Sequence, residues 1–275
     1  STPVISYSLV QNLTSIADGN LNGNTNNPNF VQTIPYAQAP TLLGDYRLQA
    51  GSPCINKGNN SQVPSFSISD LDGNERIYLG SVEMGAYEYV NCPNIEFVFV
   101  DSSVAFSGNG ATWANAYKTL SEALDFIHCS NIKEIRIAKG TYYPTGTQNG
   151  TNKDSTFLIT RGGVKILGGY PSGGGTRNVA LNKTILSGDI GTANNNSDNS
   201  YHVMILAGIG ANEDSISIDG INFQGGNANA SGTKIYNAQT IDRNDGGGLV
   251  IWNVLNGEKV QVSNCVFTNN RAADG

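Results

Sequence analysis

A short acidic run, Asp70-Leu71-Asp72-Gly73-Asn74, comes closest in spacing to a known chemistry, because alternate oxygen-bearing side chains are what a calcium loop supplies. Asp70, Asp72 and Asn74 are therefore the candidate metal ligands, and calcium is the cation they would take. The rest of an EF-hand loop is missing: Glu75 stands where its glycine belongs and Ser81 where its bidentate glutamate belongs. A turn held by Asx hydrogen bonds is the competing reading of the same residues. Glu83 and Glu88 could lie nearby in the fold, but the sequence does not place them.

Catalysis would need more. A glycosidase sets two carboxylates across the bond it breaks, and a lyase built on stacked strands needs acidic calcium ligands with a base beside them. Asp189, Asp198, Asp214, Asp219 and Asp245 form no paired motif. The histidines are His128 and His202, far apart in the chain, so no histidine cluster is expected to hold a metal or move protons. There is no Gly-x-Ser-x-Gly elbow, and Gly173-Gly174-Gly175-Thr176 lacks the lysine and the helix of a phosphate loop. No catalytic residue and no cofactor beyond calcium is assigned, and the chain reads as a non-enzyme.

Cys54, Cys92, Cys129 and Cys265 contain no CxxC pair, which excludes zinc ribbons and thioredoxin-like redox motifs. They are expected as small buried apolar residues, with a Cys92 to Cys129 bridge left open. Trp113, Tyr142, Tyr143, Tyr170, Tyr201 and Trp252 could stack on sugar rings where exposed. Trp252 and Tyr236 flank an apparent insertion from Asn227 to Asp245 and are the candidate ligand contacts, against ordinary loop decoration.

The elements that must position these residues are short. Ile135-Arg136-Ile137, Val164 to Gly169, Thr184 to Gly188, His202 to Leu206, Ile216 to Gly220, Gly248 to Ile251 and Val260 to Val262 are β-rich runs bounded by Gly and Asn. Ile216 to Phe223 aligns with Val260 to Phe267, and Ala228 then falls opposite Ala272. Self-similarity of this kind marks a solenoid whose coils stack apolar residues on one another. Asparagine, about as frequent as the 33 glycines, suits corners that need a left-handed backbone. Thr119 to Ile127 breaks the pattern, placing Leu120, Ala123, Leu124 and Ile127 on one helical face behind a Thr119/Glu122 capping box. A single short α-helix near 119–128 is expected as the cap of a β-helix. A boundary is expected near residue 91, where Asn91-Cys92-Pro93 precedes an apolar strand.

With 14% charged residues among 275 and a net charge of −6, the chain lacks the basic surface that nucleic acid or anionic membrane would require. No apolar run approaches the roughly 18 to 20 residues of a membrane span. Ser1-Thr2-Pro3-Val4 has neither a basic n-region nor an apolar h-region and reads as a mature or excised start.

Five motifs in order carry a resemblance: Asn27-Pro28-Asn29-Phe30-Val31, Gly44-Asp45-Tyr46-Arg47-Leu48, Gly51 to Gly58, Asp70 to Arg76 and Gly85-Ala86-Tyr87-Glu88. They resemble the choice-of-anchor Q module, the C-terminal end of right-handed parallel β-helices in bacterial surface proteins. Gly110-Ala111-Thr112-Trp113, Ala138 to Tyr142, Gly168-Gly169-Tyr170, Leu186 to Ile190 and Gly246-Gly247-Gly248 resemble the opening of another such β-helix. The resemblance implies an all-β fold of two tandem segments. These are the end of one β-helix over 1–90, a junction over 91–98, and over 99–275 the cap and first coils of a second, incomplete at its C-terminus. By the family pattern Trp113 packs under the cap helix. Asp154-Ser155-Thr156 and Asp214-Ser215-Ile216 resemble an O-glycosylation acceptor motif of Bacteroidota, making Ser155 and Ser215 candidate glycan carriers.

The resemblance further implies a secreted or cell-surface protein of Bacteroidota, exported by type IX secretion machinery in the outer membrane. It would act as an adhesin or extended display stalk, with surface glycans or a host or environmental surface as partner. A polysaccharide lyase or glycoside hydrolase with its active coils elsewhere is the alternative, and a structural spacer or secretion passenger the second.

Overall fold

Alternating branched apolar and polar residues build a nearly all-β chain in the computed structural model, with one α-helix among the described residues. The structure describes residues 4–13, 16–38, 40–41, 43–64, 66–67, 70–71, 76–77, 80–90, 92–129, 131–209, 215–254 and 260–273. The chain divides into two compact units, Ser1–Asn91 and Cys92–Gly275.

In the first unit β1 (Leu9–Val10) pairs in parallel with β2 (Leu21–Asn22). The Asn20 side chain holds that corner: its Oδ1 accepts from the Ser8 amide at 3.1 Å and its Nδ2 donates to Ile5 O at 2.7 Å. β3 (Phe30–Gln32) and β4 (Asp45–Leu48) pair antiparallel, with Phe30 edge-on to Tyr46. That pairing departs from a purely parallel stack over 1–90. The chain reverses between the two strands, and Leu48, Cys54 and Val82 are the buried apolar residues there.

The second unit opens with β5 (Phe97–Val100), α1 (Leu120–Leu124), β6 (Glu134–Ala138), β7 (Gly140–Tyr142) and β8 (Phe157–Ile159). It continues with β9 (Lys165–Tyr170), β10 (Thr184–Ser187), β11 (Met204–Ile209), β12 (Ile216–Asp219), β13 (Ile221–Gln224) and β14 (Asn227–Ala228). A hairpin of β15 (Thr233–Tyr236) and β16 (Gln239–Asp242) follows, and then β17 (Leu249–Val254), β18 (Val260–Ser263), β19 (Val266–Thr268) and β20 (Arg271–Ala272). Three parallel sheets result, in the orders β18-β12-β9-β6-β5, β19-β13-β10-β7 and β17-β11-β8, beside a short β14-β20 pair.

Register makes apolar columns. Val98 pairs with Ile135, Ile135 with Ile166, Ile166 with Ile218 and Ile218 with Val262. Tyr142, Leu186, Phe223 and Phe267 form a second column, and Ile159, Leu206 and Ile251 a third. Phe223 and Phe267 stack with ring centroids 4.8 Å apart, the separation of neighbouring strands. The alignment of Ile216 with Val260 and of Ala228 with Ala272 is the hydrogen-bonded register itself. In the outermost strands the same columns end exposed: Val262 is 37%, Ile251 46% and Phe267 49% accessible. Asparagines 12, 29, 56, 194, 237, 253, 264 and 269 have positive φ and sit at corners of the kind expected.

α1 has both halves of its capping box, with Thr119 accepting from the Glu122 amide and Glu122 from the Thr119 amide. Leu120, Ala123, Leu124 and Ile127 are buried. The helix is shorter than the 119–128 span because the chain after Leu124 tightens: Phe126, Ile127 and Cys129 each donate to the carbonyl three residues back. Trp113, which the resemblance places under the cap helix, has two aromatic rings as neighbours. It packs against Phe99 and Tyr170, whose rings lie 4.9 and 5.3 Å away, while Tyr117 stacks on Phe126.

Candidate functional site

In the first unit Asp70, Glu83 and Glu88 are all buried, with the guanidinium of Arg76 paired to Glu88 and acting on Glu83. Backbone amides organise the acids. Asp70 Oδ2 accepts from the Glu88 amide at 2.8 Å, Glu83 Oε2 from the Tyr89 amide at 2.7 Å, and Glu88 Oε1 from the Glu83 amide at 3.3 Å. Arg76 pairs with Glu88 Oε1 and donates to Gly85 O at 2.7 Å. Glu88 Oε2 is buried without a hydrogen-bond partner.

Buried acids that outnumber the one cation paired with them leave negative charge under-compensated. Burial, reinforced by Glu88 and Asp70 and opposed by the Tyr89 amide and Arg76, pushes Glu83 up to about 7. Burial and Asp70 push Glu88 up to about 7 against the pull of Arg76. A cavity of about 300 Å³ adjoins the group, and Glu83, Arg76, Asn59, Gln62 and Ser67 supply polar groups to its wall. The arrangement can hold a proton at neutral pH and clasp residues 82–90 to the Arg76 segment.

Asp70 thus sits with Glu83 and Glu88, a grouping no spacing rule reveals. Its proposed partners Asp72 and Asn74 lie outside the described residues. Asp70, Glu83 and Glu88 do not bring their oxygens together closely enough to count as a metal-holding group among the described residues.

The candidate ligand contacts separate. Tyr236 is 9% exposed and packs with Ile205, Ala207, Ile241 and Val250, its hydroxyl donating to Asp154 O at 2.6 Å. Its ring is therefore core, and not a platform for a sugar. The hairpin folds over the outer face of β11, where Asn237 donates to Ala207 O at 2.8 Å and Gly208 leaves the room that a Cβ would fill. Trp252 is 46% exposed on the neighbouring strand and stays available. Asp154 is held below the usual carboxylate range by a bidentate Arg243, with nitrogen–oxygen distances of 2.7 and 2.8 Å. Ser155 next to it is half-buried, whereas Ser215 is exposed just before β12, its neighbour Asp214 lying outside the described residues.

His202 is buried, and burial keeps its imidazole below the ordinary value despite the contact of Nδ1 with Gly246 O at 3.2 Å. Cys92 and Cys129 form a disulfide with Cα atoms 5.5 Å apart, so these two are not the isolated apolar residues expected of them. Cys54 is free and buried, and Cys265 is free and half-buried. His128 Nε2 lies 3.3 Å from Cys129 Sγ, and the ligand atoms of Cys92, His128 and Cys129 all fall within 4.8 Å of one another. The 37-residue separation of Cys92 from Cys129 is what kept this grouping of one histidine and two cysteines out of the sequence.

No known protein family, well-characterised protein or solved structure matches the chain. Among the described residues no helix is long and apolar enough to cross a membrane.

Proposed function

We propose that the chain is part of a right-handed parallel β-helix protein of the bacterial surface, displayed or secreted through the type IX route of Bacteroidota, and that it works as an adhesin or display stalk. The observation that carries this reading is the run of in-register apolar columns through three parallel sheets. Such stacking makes a stiff rod whose sides repeat at the strand spacing, which suits contact with a repetitive partner such as a surface glycan. Trp252 is the aromatic we assign to glycan contact, and Ser215 the more accessible glycan acceptor.

The test is a panel of neutral and acidic polysaccharides, with and without calcium, scored for retention and cleavage together. Retention without cleavage, weakened by Trp252→Ala, is the expected result. Cleavage would move the protein to the lyase or hydrolase class, and neither retention nor cleavage would leave a spacer or secretion passenger. Intact mass of the secreted protein equal to the bare sequence would remove the glycan carriers.

A further inference from the structure

We propose that Cys92, His128 and Cys129 form a soft-metal site, selective for a zinc-like cation, that opens when their disulfide is reduced. The three ligand atoms lie within 4.8 Å of one another, and His128 Nε2 is 3.3 Å from Cys129 Sγ. A tetrahedral zinc with Zn–S near 2.3 Å and Zn–N near 2.0 to 2.1 Å spaces its ligand atoms roughly 3.5 to 3.8 Å apart. His128 Nε2 and Cys129 Sγ stand close to that spacing, whereas the two sulfurs, bonded to each other in the disulfide, must move apart by more than an ångström to reach it. A covalent staple needs only two sulfurs, and the imidazole nitrogen aimed at one of them is the additional feature that a metal would use. Two thiolates and an imidazole form a donor set that zinc favours, with a fourth position left for water.

The backbone keeps the ligands together after the sulfur–sulfur bond is gone. Asn131 donates through Nδ2 to Pro93 O and, at 3.2 Å, to Ile95 O, joining the Cys92 side to the Cys129 side. The Lys133 amide donates to Glu96 O at 2.8 Å, and the β5–β6 ladder begins at Phe97 and Glu134. Cys129 itself is fixed by its amide to Phe126 O at 3.0 Å and its carbonyl to the Ile132 amide at 3.0 Å. None of these hydrogen bonds involves a sulfur, so each is expected to persist in the thiol form and to lower the cost of binding.

Access also fits. Cys92 is exposed while Cys129 is buried, so an external dithiol attacks at Cys92 Sγ and Cys129 leaves as the thiolate beside His128. A second thiolate of the reductant then resolves the mixed disulfide. The protein's sulfur–sulfur bond is broken by two electrons, two protons complete two thiols, and the dithiol departs as its own disulfide. Zinc next displaces both thiol protons and is coordinated by His128 through Nε2. Disulfide and metal are thus alternative states of the same three residues, and the oxidised chain holds no cation there.

The full chain, reduced with a phosphine under inert gas, is titrated with cobalt(II) and then zinc. One equivalent of cobalt should give a thiolate-to-metal charge-transfer band that zinc abolishes, and the oxidised chain should give none. Alkylation of the native reduced protein, mapped by peptide, should find Cys92 and Cys129 protected by zinc and Cys54 and Cys265 unaffected. His128→Gln, checked for an unchanged circular dichroism spectrum, should weaken zinc binding by about tenfold or more. Absence of the band, protection of other cysteines instead, or unchanged affinity in His128→Gln would each overturn the proposal.

Discussion

Glu83 and Glu88, both raised from 4.5 to about 7 chiefly by burial, make the first unit sensitive to pH in a definite direction. Their folded forms bind protons more tightly than the unfolded chain does. Their favourable contribution is present below the unfolded value and is lost as pH rises through about 7. The first unit should therefore melt at a higher temperature near pH 5 than near pH 8, and Glu83→Gln should flatten that slope; differential scanning calorimetry across this range checks it. The candidate acid Asp70 was legible from its loop-like spacing. That Glu83, Glu88 and Arg76 would be its neighbours was not, because their meeting depends on how the segment after Arg76 returns to the Asp70 amide-bonded turn.

Strands show a closer link between pattern and structure. A period of two leaves one inward set of side chains per strand, so once Ile216 faces Val260 every following pair is determined until the chain turns. That is why the repeat was readable before any fold was known. Position within the column sets the energetic weight. Phe223 is wholly buried between Leu186 and Phe267, and Phe223→Ala should cost about 3–5 kcal/mol. Phe267 has one face open, and Phe267→Ala should cost only about 1 kcal/mol. Urea titration of the two variants, followed by circular dichroism, separates these values. The length of α1 was less readable, since the switch to shorter-range hydrogen bonds after Leu124 leaves Ile127 buried on the same face and so leaves no mark in the apolar spacing.

Across the whole chain, the Cys92–Cys129 disulfide is the covalent constraint seen in the structure, and it closes a separation of 37 residues in the second unit. The loop-entropy relation puts its stabilisation at about 4 kcal/mol. Reduction without added metal should lower the denaturant midpoint of that unit by a corresponding amount, and the first unit, which carries no described disulfide, should not respond. Peptide-resolved hydrogen exchange with and without reductant would show which residues lose protection. Sequence left this bridge open because spacing alone says nothing of whether two cysteine Cβ atoms point at one another.

From composition and periodicity alone came the β-rich class, the repeat register, the capped helix start and the asparagine corners. Each depends on interactions within a few residues or on a strict period, which a linear chain displays directly. The tertiary structure alone decided that Tyr236 is core, that Trp113 leans on Phe99 and Tyr170, that Glu88 pairs with Arg76 beside Glu83, and that distant Cys92 joins the adjacent pair His128-Cys129. Those contacts join residues brought together by chain reversals, and long-range geometry of that kind has no signature in local spacing.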